Sequence, residues 1–563
     1  MLASLGLAVA VIYGQVVEHE FVDWDDYGYF VDSPALDGRL SGADLVAAFS
    51  ETRMANWSPL TSLTILVGDA IHGPTPTPYL LGNVVLHLLA SVLLFLWLLR
   101  ATNRLLPSAW VALIFAVHPL HVESVAWASE RKDVLAAVFW MSCLLAYVFY
   151  SERPGRGRYA AVLILSVLAC LSKPTAVALP VSLLLLDYWP LRRLERLSDL
   201  WPRLREKALI IVCALVLGGL TVFAQGEAGA NSTTLVPWMT RFLNAGLSYW
   251  TYIGQSFWPA GLAVFYPYPE AASLRGWVPW LAWTSGIVLT GLAVWASPQR
   301  RYVLMGWLWF ILTLIPMMGF VQVGGQAHAD RYMYIPLIGL LVVVAGFWAE
   351  CATRRGWVRW VWGLAFVLVA GLMVVARQQV GHWENTKALF EHALDVTQSN
   401  AIAHRHLGVA YWTEGNWGAG EEHLRAAVQI RPNWAESRVA LADALNQSGR
   451  HQEAQVELGK ALGLGLKGPG LHASLGTAAQ ALGDDAKAAE AYRAALQGGG
   501  GDWQIMNNLA WILAQSSVPG LRDPDAAIQL VTEALAREPG HPELLDTLGV
   551  ARAAALADET RPD

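Results

Sequence analysis

The sequence predicts an all-α protein in two parts, a helical domain with many membrane crossings followed by a helical solenoid. Three observations carry that reading. Of 563 residues, 55% are hydrophobic and only 15% charged, where a soluble globular chain has roughly 25% charged. Apolar runs long enough to cross, or nearly cross, about 30 Å of hydrocarbon recur until residue 377. An Ala-rich pattern of period 34 then takes over.

Composition also excludes several function classes. A soluble fold this apolar would lack a surface that keeps it in solution, so an ordinary cytosolic enzyme is ruled out. The net charge of −6 provides no basic field to hold nucleic acid by its phosphates. Cys143, Cys170, Cys213 and Cys351 lie in or beside apolar runs and never approach Cys-x-x-Cys spacing, which excludes a disulfide framework and a thiolate zinc site.

Eleven spans are expected, near 1–17, 80–99, 108–125, 134–150, 159–171, 175–189, 208–224, 277–296, 302–319, 334–350 and 358–376. The first run lacks a basic n-region and a small-residue cleavage site, so it reads as a retained anchor. With the N-terminus cytoplasmic, the inner loops hold 16 Lys and Arg. They are Arg100, Arg104, Arg153, Arg156, Arg158, Arg192, Arg193, Arg196, Arg203, Arg205, Lys207, Arg300, Arg301, Arg354, Arg355 and Arg359. The outer loops hold 8: Arg39, Arg53, Arg131, Lys132, Lys173, Arg241, Arg275 and Arg331. A span at 241–264 would turn Arg300, Arg301 and the Arg354–Arg359 group outward. The stretch 225–276 therefore reads as an outer loop that dips into the interface. The membrane domain is 1–376, with outer loops 18–79 and 225–276, and 377–563 emerges outside.

Period 34 is the spacing of tetratricopeptide (TPR) repeats. Leu407, Gly408, Tyr411, Ala427 and Pro432 define one copy, and Leu441, Ala442, Leu445, Ala454, Leu458 and Ala461 a second. Leu475, Gly476, Ala488, Tyr492 and Ala495 define a third. The fourth carries Leu509, Ala510, Ala527, Ala534 and Pro539, with an insertion around 516–520. A half repeat with Phe390 and Ala393 precedes the array, and Leu548 and Gly549 begin a terminal helix. Such arrays stack into a groove that binds peptides, or serve as pure scaffolding.

Candidate chemistry falls in the outer segments. Phe21-Val-Asp-Trp-Asp-Asp-Tyr27 puts three carboxylates within four residues, directly after the first span. A close carboxylate pair can raise one partner's pKa and make it a usable base. A solvated acidic loop start is the alternative. Calcium fits poorly, because Tyr27 and Pro34 occupy positions that need ligands. His118-Pro-Leu-His-Val-Glu123 and Glu130-Arg-Lys-Asp133 follow at the end of a span, where such groups face a cavity or a partner. His118 and His121 could share a helical face, while Glu123 points away from His118, so a three-ligand metal site is weak. Arg131, Lys132, Lys173 and Arg331 are outer cations that suit a phosphate or pyrophosphate carried on a lipid. The alternative is that they are snorkelling anchors, or structural partners of Glu130, Asp133 and Asp330. Walker, dinucleotide-binding, His-Glu-x-x-His and Gly-x-Ser-x-Gly patterns are all missing from the sequence. Energy must arrive with the substrate or across the membrane.

These features occur in a recognisable order: the acidic pair after the first span, His-Pro-x-His-x-Glu before Arg-Lys-Asp, a Lys-Pro turn, Asp-Arg-Tyr-x-Tyr-x-Pro and a TPR array. With Ala55-Asn-Trp-Ser-Pro-Leu60 and Gly319-Phe-Val-Gln-Val-Gly324, the set resembles bacterial relatives of the transmembrane and TPR-containing (TMTC) protein O-mannosyltransferases, of the GT-C class. Where the family pattern has His, this chain has Ser58. The resemblance implies an inverting transfer of one sugar from a polyprenyl-phosphate donor to Ser or Thr hydroxyls of proteins outside the cytoplasm. It makes Asp25 and Asp26 the catalytic pair, one as base and the other orienting the hydroxyl or holding a divalent metal. Arg131, Lys132, Lys173 and Arg331 would stabilise charge on the leaving phosphate. His118, His121, Glu123 and Tyr332 join them as donor-binding candidates. The expected partners are membrane lipid, the lipid-linked sugar and acceptor proteins held by the TPR groove. The expected location is a bacterial plasma membrane. Two alternatives stand beside this: a non-catalytic TPR scaffold for envelope assembly, and a GT-C transferase acting on glycolipid or polysaccharide.

Overall fold

The computed structural model describes residues 1–563 apart from 33–35, 37, 55, 228–235, 270, 321–323, 353–357, 500 and 560–563. The chain is helical throughout, and an isolated bridge between Arg53 and Asn56 is the sole β-type pairing among the described residues. It divides into two compact units, Met1–Gln398 and Ser399–Asp563.

Among the described residues of the first unit, five helices are long and apolar enough to cross a membrane: Pro76–Thr102, Ala128–Glu152, Leu197–Gly226, Val278–Ala296 and Gly363–Gly381. A sixth candidate is the pair Leu105–Val117 and Pro119–Ala126, bent by 55°. Leu2–Glu18, Pro174–Tyr188, Arg301–Met317 and Leu337–Ala352 are apolar but shorter. Several of the eleven expected spans are thus broken or short, because proline stops them. Pro119 follows the end of one helix, and Pro174 and Pro336 stand just before two others. Proline lacks the N–H that a helix interior needs. The stretch expected as an interfacial loop contains a 20-residue helix, Trp238–Phe257, which buries Arg241, Asn244, Ser248 and Gln255. Small residues let helices touch backbone to backbone. Gly306, on the helix Arg301–Leu314, packs against the carbonyl of Gly339 on Leu337–Ala352, and a Cβ at either glycine would collide with the other's oxygen. That crossing supports the turn Asp330–Met333, which immediately precedes the second helix.

The half repeat expected before the TPR array packs within the first compact unit, which ends at Gln398. The reason lies in the first acidic loop. Asp23 N–H donates to Thr386 Oγ1 at 2.8 Å, Glu20 N–H donates to the Glu384 carbonyl at 2.9 Å, and Trp24 sits between Phe265 and Phe390 at 5.9 and 6.0 Å. The helix Thr386–Val396 therefore anchors the loop that carries the aspartates.

The second unit is a stack of helix pairs: Ala401–Thr413 with Trp417–Ile430, Ala435–Gln447 with His451–Gly463, Pro469–Ala481 with Asp485–Gln497, and Trp503–Gln515 with Pro524–Arg537. Period 34 is visible atom by atom. Gly415, Gly449 and Gly483 close the first three intra-pair turns at φ between 75 and 81°, which favours glycine. Ala427, Ala461 and Ala495 are all fully buried where paired helices meet.

Candidate functional site

A cavity of about 920 Å³ opens within the first unit, with Trp24, Asp25, Asn56, Ser58, Glu130, Lys132, Lys173, Arg331 and Tyr332 in its walls. Leu215, Gly218, Gly219 and Val222 of the helix Leu200–Glu227 and Pro316 and Met317 add an apolar side. Five of the residues singled out in the sequence (Asp25, Lys132, Lys173, Arg331 and Tyr332) thus share one hollow.

The cations reach it from three elements. Lys132 lies in the first turn of Arg131–Glu152, Lys173 follows the helix Arg156–Ser172, and Arg331 sits on the turn Asp330–Met333. Each is held by a carboxylate. Lys132 Nζ is 3.1 Å from Glu130 Oε1, and Arg331 Nε is 3.3 Å from the same oxygen. Lys173 Nζ pairs closely with Asp133 and stands 3.7 Å from Glu130 Oε2. The Arg331 guanidinium pairs with Glu123, whose Oε2 also accepts the Arg331 backbone N–H at 2.7 Å. Glu123 is thus a support for Arg331 and does not line the cavity. Among the described residues, Asp330 is not a cation's hydrogen-bond partner. Its carboxyl accepts from Tyr266 Oη at 2.8 Å, and burial beside Glu123 holds it well above the usual carboxylate range.

The aspartate pair separates. Asp25 faces the cavity. Asp26 is 1% exposed and points the other way. Its Oδ2 accepts the Val22 N–H at 3.1 Å, and its Oδ1 accepts the Ser129 N–H at 2.9 Å and the Ser129 hydroxyl. Burial pushes the Asp26 carboxyl up to about 7. Asp26 thus ties the acidic loop to Ser129, just before the Glu130–Asp133 tract, and does not line the cavity.

Three further expected residues lie outside the cavity wall. The Arg131 guanidinium donates to the Tyr79 carbonyl at 2.8 Å, lies over the Tyr79 ring at 5.3 Å and occupies the space beside Gly82. His118 accepts the Leu120 N–H on Nδ1 and bonds the Ser256 carbonyl through Nε2 at 3.1 Å, and His121 Nδ1 bonds the Phe115 carbonyl at 2.7 Å. Both imidazoles hold the bend at Pro119. Among the described residues, no group of three or more His, Cys, Asp or Glu is placed to hold a metal ion. Sequence reasoning missed Gln225, whose amide reaches Asn56 Oδ1 at 3.4 Å, and Gln326, which donates to Tyr332 Oη at 2.7 Å. The motif around Asn56 and Ser58 was the available signal. Ala55 and 321–323 of the second motif lie outside the described residues.

The fold and cavity define a polytopic helical protein with a TPR solenoid. A tetratricopeptide-repeat family model matches residues 373–435 and 473–542. Most of the chain is similar in sequence to TMTC proteins. It is 22% identical over 440 residues to the mouse protein O-mannosyl-transferase TMTC3, covering 71% of this chain and 47% of the relative. With human protein O-mannosyl-transferase TMTC4 it shares 25% identity over 480 residues, 73% of this chain and 64% of the relative. The chain therefore spans from about half to just under two thirds of the length of these relatives. Among solved structures, YrrB, a TPR protein described as having an unusual peptide-binding site, aligns with 31% of this chain and 84% of its own at 19% identity and a TM-score of 0.26.

Proposed function

We propose that the protein is a membrane glycosyltransferase that moves one sugar from a polyprenyl-phosphate donor to Ser or Thr hydroxyls of extracytoplasmic proteins. One observation carries the reading: a single cavity gathers the Asp25 carboxylate, three cations and an apolar wall. In the reaction, Asp25 takes the proton of the acceptor hydroxyl as its oxygen attacks the anomeric carbon. The new carbon–oxygen bond forms as the bond from that carbon to the phosphate oxygen breaks, and the electron pair leaves with the lipid phosphate. A single displacement of this kind inverts the anomeric centre. Lys132, Lys173 and Arg331 meet the charge that grows on the phosphate. The side of the cavity built from Leu215, Gly218, Gly219 and Val222 suits an isoprenoid chain.

The TPR unit supports a protein acceptor. Helices Ala401–Thr413 and Ala435–Gln447 line a hollow of about 410 Å³ with Arg405, Trp412, Glu436, Asp443 and Gln447. That mixture of charge and aromatic surface fits an extended polypeptide.

Intact-mass analysis and site mapping of extracytoplasmic proteins test the reading, comparing cells that carry the native chain with cells that carry Asp25→Asn. Sugar-sized additions on Ser or Thr should vanish in the variant. An unchanged pattern with folded variant would overturn it, and would turn the search to glycolipids and then to a scaffold role. A reporter fused after Asp563 should read as extracytoplasmic. Cytoplasmic activity there would separate the TPR unit from the proposed site of transfer.

A further inference from the structure

We infer that the Glu130 carboxylate is an internal occupant of the phosphate position, holding the place among Lys132, Lys173 and Arg331 that the donor's phosphate takes in the reaction. This rests on the reading of the cavity as a donor site. Glu130 lies within 3.1–3.7 Å of all three cations, which converge on it from three separate elements. It is 1% exposed yet forms part of the cavity wall, and its Oε2 accepts no hydrogen bond from the described residues. Two of the cations already have a carboxylate of their own, Asp133 for Lys173 and Glu123 for Arg331. Lys132 also lies against the faces of Tyr29 and Trp127, at 5.5 and 5.9 Å. Glu130 is therefore the carboxylate shared by all three cations, the one whose place a guest phosphate can take beside Lys132 while Lys173 and Arg331 keep Asp133 and Glu123.

The consequence is a site that is not a permanent trap for phosphate. The donor is a phosphodiester with one negative charge. Once the sugar has left, the lipid monophosphate gains a second charge while Glu130 remains close by. Beside a carboxylate buried this deeply, like charges this near repel strongly. The same carboxylate that weakens donor binding thus helps to expel the product.

The test uses the full-length chain in detergent and follows intrinsic Trp fluorescence, with Trp24 in the cavity wall, on titration with farnesyl phosphate and with farnesol. The wild-type chain should prefer the phosphate. If it binds the two equally, the donor-site reading fails. Glu130→Gln keeps the side chain's shape and removes its charge, so it should bind farnesyl phosphate about tenfold or more tightly, bind farnesol unchanged, and show stronger inhibition of turnover by farnesyl phosphate. A wild-type chain that prefers the phosphate and a Glu130→Gln chain that binds it no more tightly would overturn this inference alone. Should Glu130→Gln fail to fold, Glu130→Asp decides. Its shorter side chain withdraws the charge from the cations and should also tighten phosphate binding, and unchanged or weaker binding refutes the proposal.

Discussion

Two clusters of buried charge in the first unit have similar membership and opposite design. In one, Asp187 accepts from Tyr147 Oη at 2.8 and 2.9 Å, from Arg193 at 3.0 Å and from Lys207, while Arg193 spans both oxygens of Glu206 at 3.0 Å. Asp187 and Lys207 are completely enclosed, and none of these residues lines the cavity. In the other, Glu130, Lys132, Lys173 and Arg331 share a wall with about 920 Å³ of open space, and Glu130 Oε2, 3.7 Å from Lys173 Nζ, accepts no hydrogen bond from the described residues. A closed network of saturated partners ties helices together. An open one with an oxygen to spare has capacity for a guest. Charge type alone does not separate the two, whereas partner count and adjoining space do.

The sharpest break in that comparison comes from Asp25→Asn, which should lower the transfer rate by about a hundredfold or more while leaving thermal stability unchanged. Mass spectrometry of the acceptor and a melting curve together read both halves. Next in size is a matched pair of lysine replacements. Lys207→Met leaves Asp187 buried beside an apolar side chain and should cost about 3–5 kcal/mol of stability without changing binding of a prenyl phosphate. Lys173→Met should do the reverse. It should weaken prenyl-phosphate binding about tenfold, with a smaller stability loss because Asp133 keeps the Ser124 hydroxyl as donor at 2.9 Å and Glu130 keeps Lys132 and Arg331. Equal stability losses in the two variants would show that the open cluster is structural as well.

Asp26→Asn should have a smaller effect, about 1–3 kcal/mol, since its amide must turn an N–H toward a backbone N–H donor. It also carries a pH signature. The Asp26 carboxyl lies near 7 in the folded chain against 3.8 as a free side chain. Its neutral form is therefore favoured by folding, and its contribution is full below about pH 4 and fades as pH rises through about 7. Melting temperatures of the Asn variant should lose that dependence. The smallest expected change is in the solenoid. Asp443, whose carboxyl burial raises to about 6 and which accepts from the Ser474 hydroxyl, should contribute stability that declines from about pH 4 to about 6. Asp443→Asn should flatten that slope in hydrogen-exchange protection of Ala435–Gln447.

Much of this was legible because period and chemistry are written along the chain. Leu407, Leu441, Leu475 and Leu509 announce the solenoid by their spacing. Residue type and side of the membrane grouped Lys132, Lys173 and Arg331, and the family resemblance set Asp25 and Tyr332 beside them; all five line the cavity. What stayed hidden was direction. Arg131 and Lys132 are neighbours in the first turn of one helix, so their side chains diverge by about 100° and the cavity receives only the second. Asp25 and Asp26 differ in the same way at the start of the short helix Asp26–Phe30. The bend at Pro119 is readable from the sequence, but its use of His118 and His121 as carbonyl partners depends on Phe115 and Ser256, and the second of these is 138 residues away.

The Glu123–Arg331 pair joins positions 208 residues apart. At a synthesis rate of about 5–20 residues per second, Glu123 leaves the ribosome roughly 10–40 s before its partner exists. A carboxylate destined for such a burial must spend that interval hydrated, or lent to another cation. The bent segment Pro119–Ala126 therefore takes its final place only after most of the first unit has been made. Completion of the cavity belongs to a late stage of biogenesis, and a chain truncated before Arg331 would enter quality control with its helices inserted and its acidic groups still seeking partners.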